Sequence, residues 1–406
     1  MDPRNPHQKA IVGSQLIGLP PMSPNPKYLS WPSIPMPESE KKLLLTKIEQ
    51  QLESSKDGIG FRKRVQEDLL KSLGNTEDRT FKKVIQLQIE IEQKLKEFIK
   101  LAENAIPSMA KTDIKRASAN VWTMLSLQAL NNQPLVISKS MLGYSMLYPL
   151  TDDIVDSADI TKSEKKSFIR RFGRLISHGD TSVEHPRENQ IWRMFRLIEN
   201  DWDRKKYPLL YRLMGELLIA QSDSQKQLAS KNAIPEFAEI WDITARKGAL
   251  SVLCNAYLVS GKISSNEASF AAHFGIIAQI LNDLKGIDED LEQGQYTPMN
   301  MWYIKYGNLD SIVDYCYHYF KTTFEDKNHI KGNHNFVPNQ RKFYFKVMLA
   351  YLGHKLLEGV AINDDKFSKD FLGKIERNSI LPLKTLKKLY ILEKVKDQNK
   401  ESVMAN

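Results

Sequence analysis

The sequence is poor in cysteine and glycine and has no long apolar run. Its 406 residues include only Cys254 and Cys316, too few for a disulfide framework and without metal-ligand spacing, so we interpret both as reduced thiols. The 19 glycines exclude a collagen-like chain. The apolar run 274–281 is short and is broken by Gln279, and no stretch approaches the roughly 18 residues of a membrane-spanning helix. No signal-peptide pattern is visible, and we therefore expect a cytoplasmic protein without a transmembrane segment.

The charge balance is basic. Lys and Arg outnumber Asp and Glu by 58 to 49, which gives a formal net charge of +9. This excess favours an anionic partner, either nucleic acid or a phosphorylated small molecule, and does not choose between them. Part of the excess lies in a lysine-rich C-terminal end, at Lys387, Lys388, Lys394, Lys396 and Lys400. We interpret this end as a solvated helix with a frayed tail.

Proline divides the chain into parts. Nine of the 18 prolines fall within the first 37 residues, where they forbid helix and favour extended backbone. This segment either straps across a folded surface or forms a flexible leader. From about residue 39 onwards, apolar residues recur with the period of an amphipathic helix. We therefore predict a Pro-rich segment over 1–38, a single large all-α domain of about ten to twelve helices over 39–397, and a flexible tail over 398–406.

A first cluster of aspartates ends an apolar helical segment. With about 3.6 residues per turn, Asp152, Asp156 and Asp159 share one helix face, and Asp153 stands beside them. Carboxylates this close repel one another unless cations neutralise them, and hard ions such as Mg²⁺ prefer oxygen ligands. A solvated acidic helix end would show the same pattern, so the cluster alone leaves both interpretations open.

A second polar cluster lies about 130 residues further along, where Asn282, Gly286, Glu289 and Asp290 fall on one helix face. An amide oxygen and carboxylates on one face can hold a cation, although an exposed acidic helix would again look the same. If the two clusters faced each other across one cavity, they would clamp metal ions around a diphosphate. The basic side chains available as counter-groups are Arg170, Arg171, Arg174, Arg246 and Lys247.

The pair of clusters resembles the motifs of class I isoprenoid synthases, an all-α superfamily of prenyl diphosphate synthases, phytoene and squalene synthases, and terpene cyclases. Residues 152–156, DDIVD, match its first aspartate-rich motif in a spelling similar to that of phytoene synthases. The resemblance is specific at the two clusters and diffuse over about residues 110–320. It implies one large helical domain with a central apolar cavity.

The second cluster fits three subfamily patterns, each with a departure. In the cyclase pattern NDxx(S/T/G)xxxE, Asn282, Asp283 and Gly286 match, and Asp290 replaces the glutamate. In the chain-elongation pattern FQxxDDxxD, Gln279 and Asp283 match, but two aspartates are missing. The matches to the phytoene and squalene synthase pattern are Gln279, Asn282, Glu289, Asp290 and Gly294. Because Gly286 replaces an essential aspartate of that pattern, the combination is most similar to a cyclase.

The resemblance therefore implies a Mg²⁺-dependent terpene cyclase, a carbon–oxygen lyase that removes diphosphate from a linear prenyl diphosphate and forms a terpene hydrocarbon or alcohol. The implied ligands of a trinuclear Mg²⁺ cluster with bound diphosphate are Asp152, Asp153, Asp156, Asn282, Asp283, Gly286 and Asp290. The implied diphosphate-binding residues are Arg170, Arg171, Arg246, Lys247 and Lys285. The implied catalytic residues are Asp152, Asp153, Arg246 and Lys247, and the implied cavity lining is Tyr144, Tyr148, Phe274 and Gln279.

Other functions stay open. A prenyltransferase, either chain-elongating or joining two prenyl diphosphates head to head, is the alternative within the superfamily. A helical nucleic-acid-binding protein would account for the charge of +9, but no nucleic-acid motif is present and acidic clusters do not suit a nucleic-acid-binding face. An inactive isoprenoid-synthase fold serving as a partner subunit is a third possibility. Because members of the superfamily often dimerise, a homodimer is a further expectation.

Overall fold

The computed structural model describes most of the chain between residues 79 and 391. The described residues are 46, 79–155, 159–180, 183, 187–228, 234–331, 338–379, 382–388 and 390–391. The predicted Pro-rich segment 1–38 and the predicted tail 398–406 lie outside them. The predicted domain boundaries therefore stay predictions.

The described part of the chain is helical and contains no β-strand, which confirms the predicted all-α class. None of its helices combines the length and the apolar character that a membrane crossing requires. The α-helices are α1 Arg79–Ala105, α2 Lys111–Leu130, α3 Lys139–Val155, α4 Lys162–His178, α5 Glu188–Asp201, α6 Pro208–Asp223, α7 Phe237–Ser260, α8 Ser265–Lys285, α9 Ile287–Glu292, α10 Pro298–Tyr306, α11 Asp310–Glu325, α12 Lys327–Lys331, α13 Pro338–Ile362 and α14 Lys369–Asn378. Short 3₁₀ turns lie at Ser224–Gln227 and Asp364–Lys366.

Local sequence fixes where helix α4 begins and ends. The Thr161 side chain accepts a hydrogen bond from the Glu164 backbone N–H, and the Glu164 carboxylate accepts one from the Thr161 backbone in return. This capping box satisfies two of the backbone donors that a helix start leaves free. At the other end, Gly179 adopts φ 76°, a left-handed conformation that glycine reaches without strain. Helix α4 begins at Lys162, three residues after Asp159 of the first acidic cluster.

The chain divides into two compact units. The first unit comprises Leu87–Gln279 and Asp326–Arg341, and the second comprises residues 79–86, Ile280–Glu325 and Lys342–Asn406, in each case over the described residues. The first acidic cluster therefore belongs to the first unit, and the second cluster belongs to the second unit.

In the first unit, α3 carries Asp152 and Asp153 of the first acidic cluster near its C-terminal end. It packs against α2 and α5, while α7 packs against α2 and α6. The backbones of α3 and α5 approach closely at Gly143, where a methyl group would collide with the Met194 carbonyl oxygen. Burying the apolar face of α3 in this way leaves its C-terminal end, with Asp152 and Asp153, at the edge of the core.

In the second unit, α11 carries much of the core. Its fully buried side chains include Val313, Cys316, Tyr317 and Phe320. Burial raises the pKa of the Cys316 thiol and the charge of the nearby Asp283 carboxylate raises it further, so this thiol stays protonated. Cys254 in the first unit is also buried with a raised pKa, to about 12, by burial. Both thiols are free, as predicted.

Candidate functional site

A pocket of about 660 Å³ lies in the first unit at the C-terminal end of α3. It combines three carboxylates with two guanidinium groups. Its lining residues are Ile106, Ser108, Met109, Ala110, Asp113, Arg116, Leu150, Asp152, Asp153, Arg187 and Gln190. The predicted ligands Asp152 and Asp153 are thus brought together at one pocket wall, while Asp156 lies outside the described residues.

The end of α3 presents Asp152 and Asp153 differently. The Asp152 side chain is 11% exposed, whereas Asp153 is exposed to solvent. Pro149 lies inside α3 just before them, and because proline has no N–H, it removes one hydrogen bond from the last turns of the helix. Of these two neighbouring carboxylates, that of Asp152 is largely enclosed and that of Asp153 is open to solvent.

Arg116 of α2 forms an ion pair with Asp152. Its Nη2 atom lies 2.7 Å from Asp152 Oδ2, and its Nη1 atom lies 3.2 Å from Asp113 Oδ1. The same guanidinium stands over the Tyr148 ring, 5.1 Å from its centroid. Burial raises the pKa of the Tyr148 phenol and the Asp152 charge adds to this, so the phenol stays protonated. Arg116 thus neutralises much of the negative charge at this pocket wall.

Arg187 supplies the second guanidinium of the pocket. It stands at the start of α5, and its Nη1 atom donates to the Asp153 carbonyl oxygen over 3.4 Å. Four lining residues were not predicted from the sequence: Asp113, Arg116, Arg187 and Gln190. The one signal available was the spacing of Asp113 and Arg116, opposite charges one helical turn apart, and it says nothing about Asp152.

Two of the predicted counter-groups, Arg170 and Arg171, do not line this pocket. Arg170 is exposed and donates to Ser167 of its own helix over 3.3 Å. Arg171 is buried and forms a bidentate pair with Glu188, with an Nε to Oε2 distance of 3.1 Å and a second bond from Nη2 to Oε1. The Glu188 side chain is fully buried. This pair accounts for the burial of the Arg171 charge without a ligand, and Arg171 does not belong to the pocket.

We expect Arg171→Gln to lower the free energy of unfolding by about 3–5 kcal/mol, because it leaves the buried Glu188 carboxylate uncompensated. Chemical unfolding followed by circular dichroism measures this loss. The matched control is Arg170→Gln on the same helix, whose exposed side chain should make no measurable difference. Equal stability of the two variants would contradict a structural role for Arg171.

Arg246 and Lys247 of α7 also lie elsewhere than this pocket. Arg246 donates from Nε to Asp242 over 2.8 Å and from Nη2 to Asp223 over 3.0 Å, so two carboxylates already hold its guanidinium. Lys247 is half-buried and forms no hydrogen bond or ion pair with any described residue. Of the two, only Lys247 has a charged group that no carboxylate of the described residues holds. The diphosphate-binding role of both residues stays a prediction.

The four predicted cavity residues belong to the first unit and have different surroundings. Tyr144 is buried and donates to the Ser251 carbonyl over 3.3 Å. Tyr148 is 39% exposed beside Arg116, and Phe274 is buried in a stacked pair with Phe270, 5.8 Å between centroids. Gln279 is half-buried on α8. A cavity shared by these residues stays a prediction.

In the second unit, the candidate residues Asn282, Gly286 and Asp290 keep a common face across the junction of α8 and α9. The Gly286 N–H donates to the Asn282 carbonyl over 3.0 Å, and the Asp290 N–H donates to the Gly286 carbonyl over 2.8 Å. The Asp290 carboxylate lies beside Gly286, and Asn282 is exposed. The helical register predicted from the sequence therefore continues through the short interruption at Gly286.

Two further candidates of the second unit have different surroundings. Asp283 is buried on α8. The Lys285 ammonium group lies 2.9 Å from Glu358 Oε2, so this predicted diphosphate ligand is held by a carboxylate. In the described part of the chain, no group of three or more His, Cys, Asp and Glu side chains is arranged to hold a metal ion.

No protein-family model matches the chain, and no curated protein matches it. The resemblance to class I isoprenoid synthases therefore depends on the motif residues alone.

Proposed function

We propose that the protein is a Mg²⁺-dependent class I terpene synthase that removes diphosphate from a linear prenyl diphosphate. The observation that carries this proposal is the pocket at the end of α3, where Asp152 and Asp153 stand beside Arg116 and Arg187. Carboxylates and guanidinium groups at one pocket are what a metal-bound diphosphate requires, because the former hold cations and the latter hold phosphate oxygens.

The donor set of this pocket fits Mg²⁺. The ion usually takes one or two carboxylates and completes its shell with water and substrate phosphate, and Asp152 and Asp153 provide two adjacent carboxylates at one wall. The chemistry that bound Mg²⁺ supplies is neutralisation of charge on the departing diphosphate. Asn282, Asp283, Gly286 and Asp290 stay the predicted second set of oxygen donors, with water in place of a side chain at Gly286.

The chain's own residues have three tasks in this proposal. Asp152 and Asp153 hold cations at the pocket wall. Arg116 and Arg187 grip phosphate oxygens, for which the planar guanidinium is suited by its fork of donors. Buried aromatic side chains such as Phe274 keep water away from the allylic cation, which water would quench. Arg116 would give up part of its bonding to Asp152 in order to reach phosphate oxygens, if Asp152 held a cation.

The test is product analysis with the full chain and linear C10, C15, C20 and C25 prenyl diphosphates, each supplied alone, with Mg²⁺ or with a chelator. We expect at least one substrate to give a terpene hydrocarbon or alcohol together with free diphosphate, and only when Mg²⁺ is present. Mass spectrometry of the organic extract and a diphosphate assay measure the two products.

Two outcomes would contradict the cyclase proposal in different ways. A longer prenyl diphosphate, formed only after a second substrate is added, would identify a prenyltransferase. Absence of both organic product and free diphosphate with every substrate, supplied alone and together with a second substrate, would contradict both activities. Binding of oligonucleotides that weakens steeply with salt would instead support the nucleic-acid alternative.

A further inference from the structure

The junction between α8 and α9 is held from one side by residues 358–366 of the second unit. Helix α8 ends at Lys285, Gly286 is not helical, and α9 begins at Ile287. A helix end leaves its last carbonyl groups without intrahelical partners. At this junction the Leu284 carbonyl accepts a hydrogen bond from the side chain of Asn363, over 2.8 Å from Nδ2.

Asn363 is built into this position. The residue is 1% exposed, and the same Nδ2 atom donates to the Gly359 carbonyl over 2.9 Å. Gly359 allows α13 to lie directly against α8, because a methyl group there would stand 2.7 Å from Leu284 Cδ2. The amide of Asn363 therefore joins the last turn of α13 to the last turn of α8.

Two ion pairs flank this hydrogen bond along the junction. On one side, Lys285 reaches Glu358 over 2.9 Å. Although burial by itself would raise the pKa of Glu358, the hydrogen bond from His354 and the charges of Lys355 and Lys285 hold it well below its usual range. On the other side, the ammonium group of Lys366, whose side chain is 5% exposed, reaches Asp288 over 2.8 Å. Three positions of the junction are thus each bound to the 358–366 segment.

This arrangement matters because the candidate ligands lie on both sides of the junction. Asn282 precedes it and Asp290 follows it, so the angle between α8 and α9 sets the distance between their oxygen atoms. Outer hydrogen bonds that orient metal ligands typically change metal affinity about 10–100-fold when they are removed. The Leu284 carbonyl is the point at which one side chain can fix this angle.

We infer that Asn363 is a positioning residue: through the Leu284 carbonyl it fixes the α8–α9 junction and thereby the oxygen donors Asn282 and Asp290. Its consequence for Mg²⁺ binding rests on the proposed function, whereas its effect on the junction does not. The structure assigns this role to an asparagine more than 70 residues from the cluster that it orients.

The experiment compares the full-length Asn363→Ala variant with the wild type by two measurements. The first is hydrogen–deuterium exchange, in which the amides of residues 286–292 should exchange at least about tenfold faster while those of α11 do not change. The second is the Mg²⁺ dependence of turnover, in which the half-saturating Mg²⁺ concentration should rise about tenfold at unchanged KM for the prenyl diphosphate. Asn363→Ser, which keeps a shorter donor, should give smaller shifts in both and serves if the alanine variant does not fold.

The control is Phe371→Leu in α14, a buried substitution of the same unit that removes part of a stack with Phe367. It should lower Tm without a selective change at 286–292. Unchanged exchange at 286–292 in Asn363→Ala, or faster exchange spread equally over the second unit in both variants, would overturn the inference. Absence of turnover in the wild type would count against the proposed function alone, because the exchange measurement still decides the role of Asn363.

Discussion

Asp152→Asn is expected to reduce turnover at least about a hundredfold, the loss usually seen when one preorganised electrostatic contact to the reacting group is removed. Asp152 is the least exposed carboxylate of the pocket and the one that Arg116 approaches to 2.7 Å. The amide keeps the size of the side chain but removes the charge that attracts both a divalent cation and the guanidinium. Steady-state kinetics at saturating Mg²⁺, with the substrate that product analysis identifies, measure the effect.

The control is Asp180→Asn, which removes an equivalent charge from the same unit. Asp180 is partly exposed and pairs with the exposed Arg174 over 3.1 Å, so its loss should leave turnover and Tm unchanged. We expect Asp152→Asn to stay folded, because the ion pair of Asp152 with Arg116 is only half-buried and contributes at most about 1 kcal/mol. Thermal unfolding of the variant checks this. Wild-type turnover in a folded Asp152→Asn variant would exclude the pocket as the site of diphosphate removal.

The fold class was predictable because burial on one helix face leaves a periodic trace in the sequence. In α4, for example, Phe168, Phe172, Leu175 and Ile176 recur at helical spacing and are all buried. The start of the same helix was also readable, since Thr161 followed three residues later by Glu164 is the pattern of a capping box. Such features depend on neighbours in sequence and not on tertiary contacts.

The composition of the pocket was only half predictable, for the opposite reason. Asp152 and Asp153 stood out because acidic residues at helical spacing form a local pattern. Arg116 and Arg187 lie 36 and 34 residues from the atoms that they contact, and only tertiary packing brings them there. No spacing rule connects such residues.

The ion pair of Arg246 has a signal in the sequence from which it could have been predicted. Asp242 stands four residues before Arg246, which is the spacing of an ion pair along one helix face, and the structure contains that pair. Arg171 differs, because its partner Glu188 belongs to another helix and the sequence shows only two adjacent arginines. An internal partner is therefore foreseeable for one of these residues and not for the other.

Gly275→Ala is expected to lower the free energy of unfolding by at least about 3 kcal/mol, at the upper end of the usual range for overpacking. Helices α7 and α8 cross where Gly248 faces Gly275, and their backbones touch. A methyl group at Gly275 would collide with the Gly248 carbonyl, and one at Gly248 would stand 2.5 Å from the Gly275 oxygen. Because both obstacles are backbone atoms, no side-chain rotation relieves the collision, and the helices must separate.

The matched control is Gly173→Ala, also inside a helix of the first unit, where the new methyl group would meet only Leu218 Cδ2 at 3.6 Å. There alanine should raise stability by about 0.5–1 kcal/mol, because glycine loses more backbone entropy in a helix. Chemical unfolding of the two variants measures effects of opposite sign, and similar values would show that α7 and α8 do not need this contact.

The crossing of α7 and α8 also bears on the predicted site. Lys247 adjoins Gly248 in sequence, and Gln279 packs beside Gly248. Separating the helices therefore moves two predicted functional residues together with the fold.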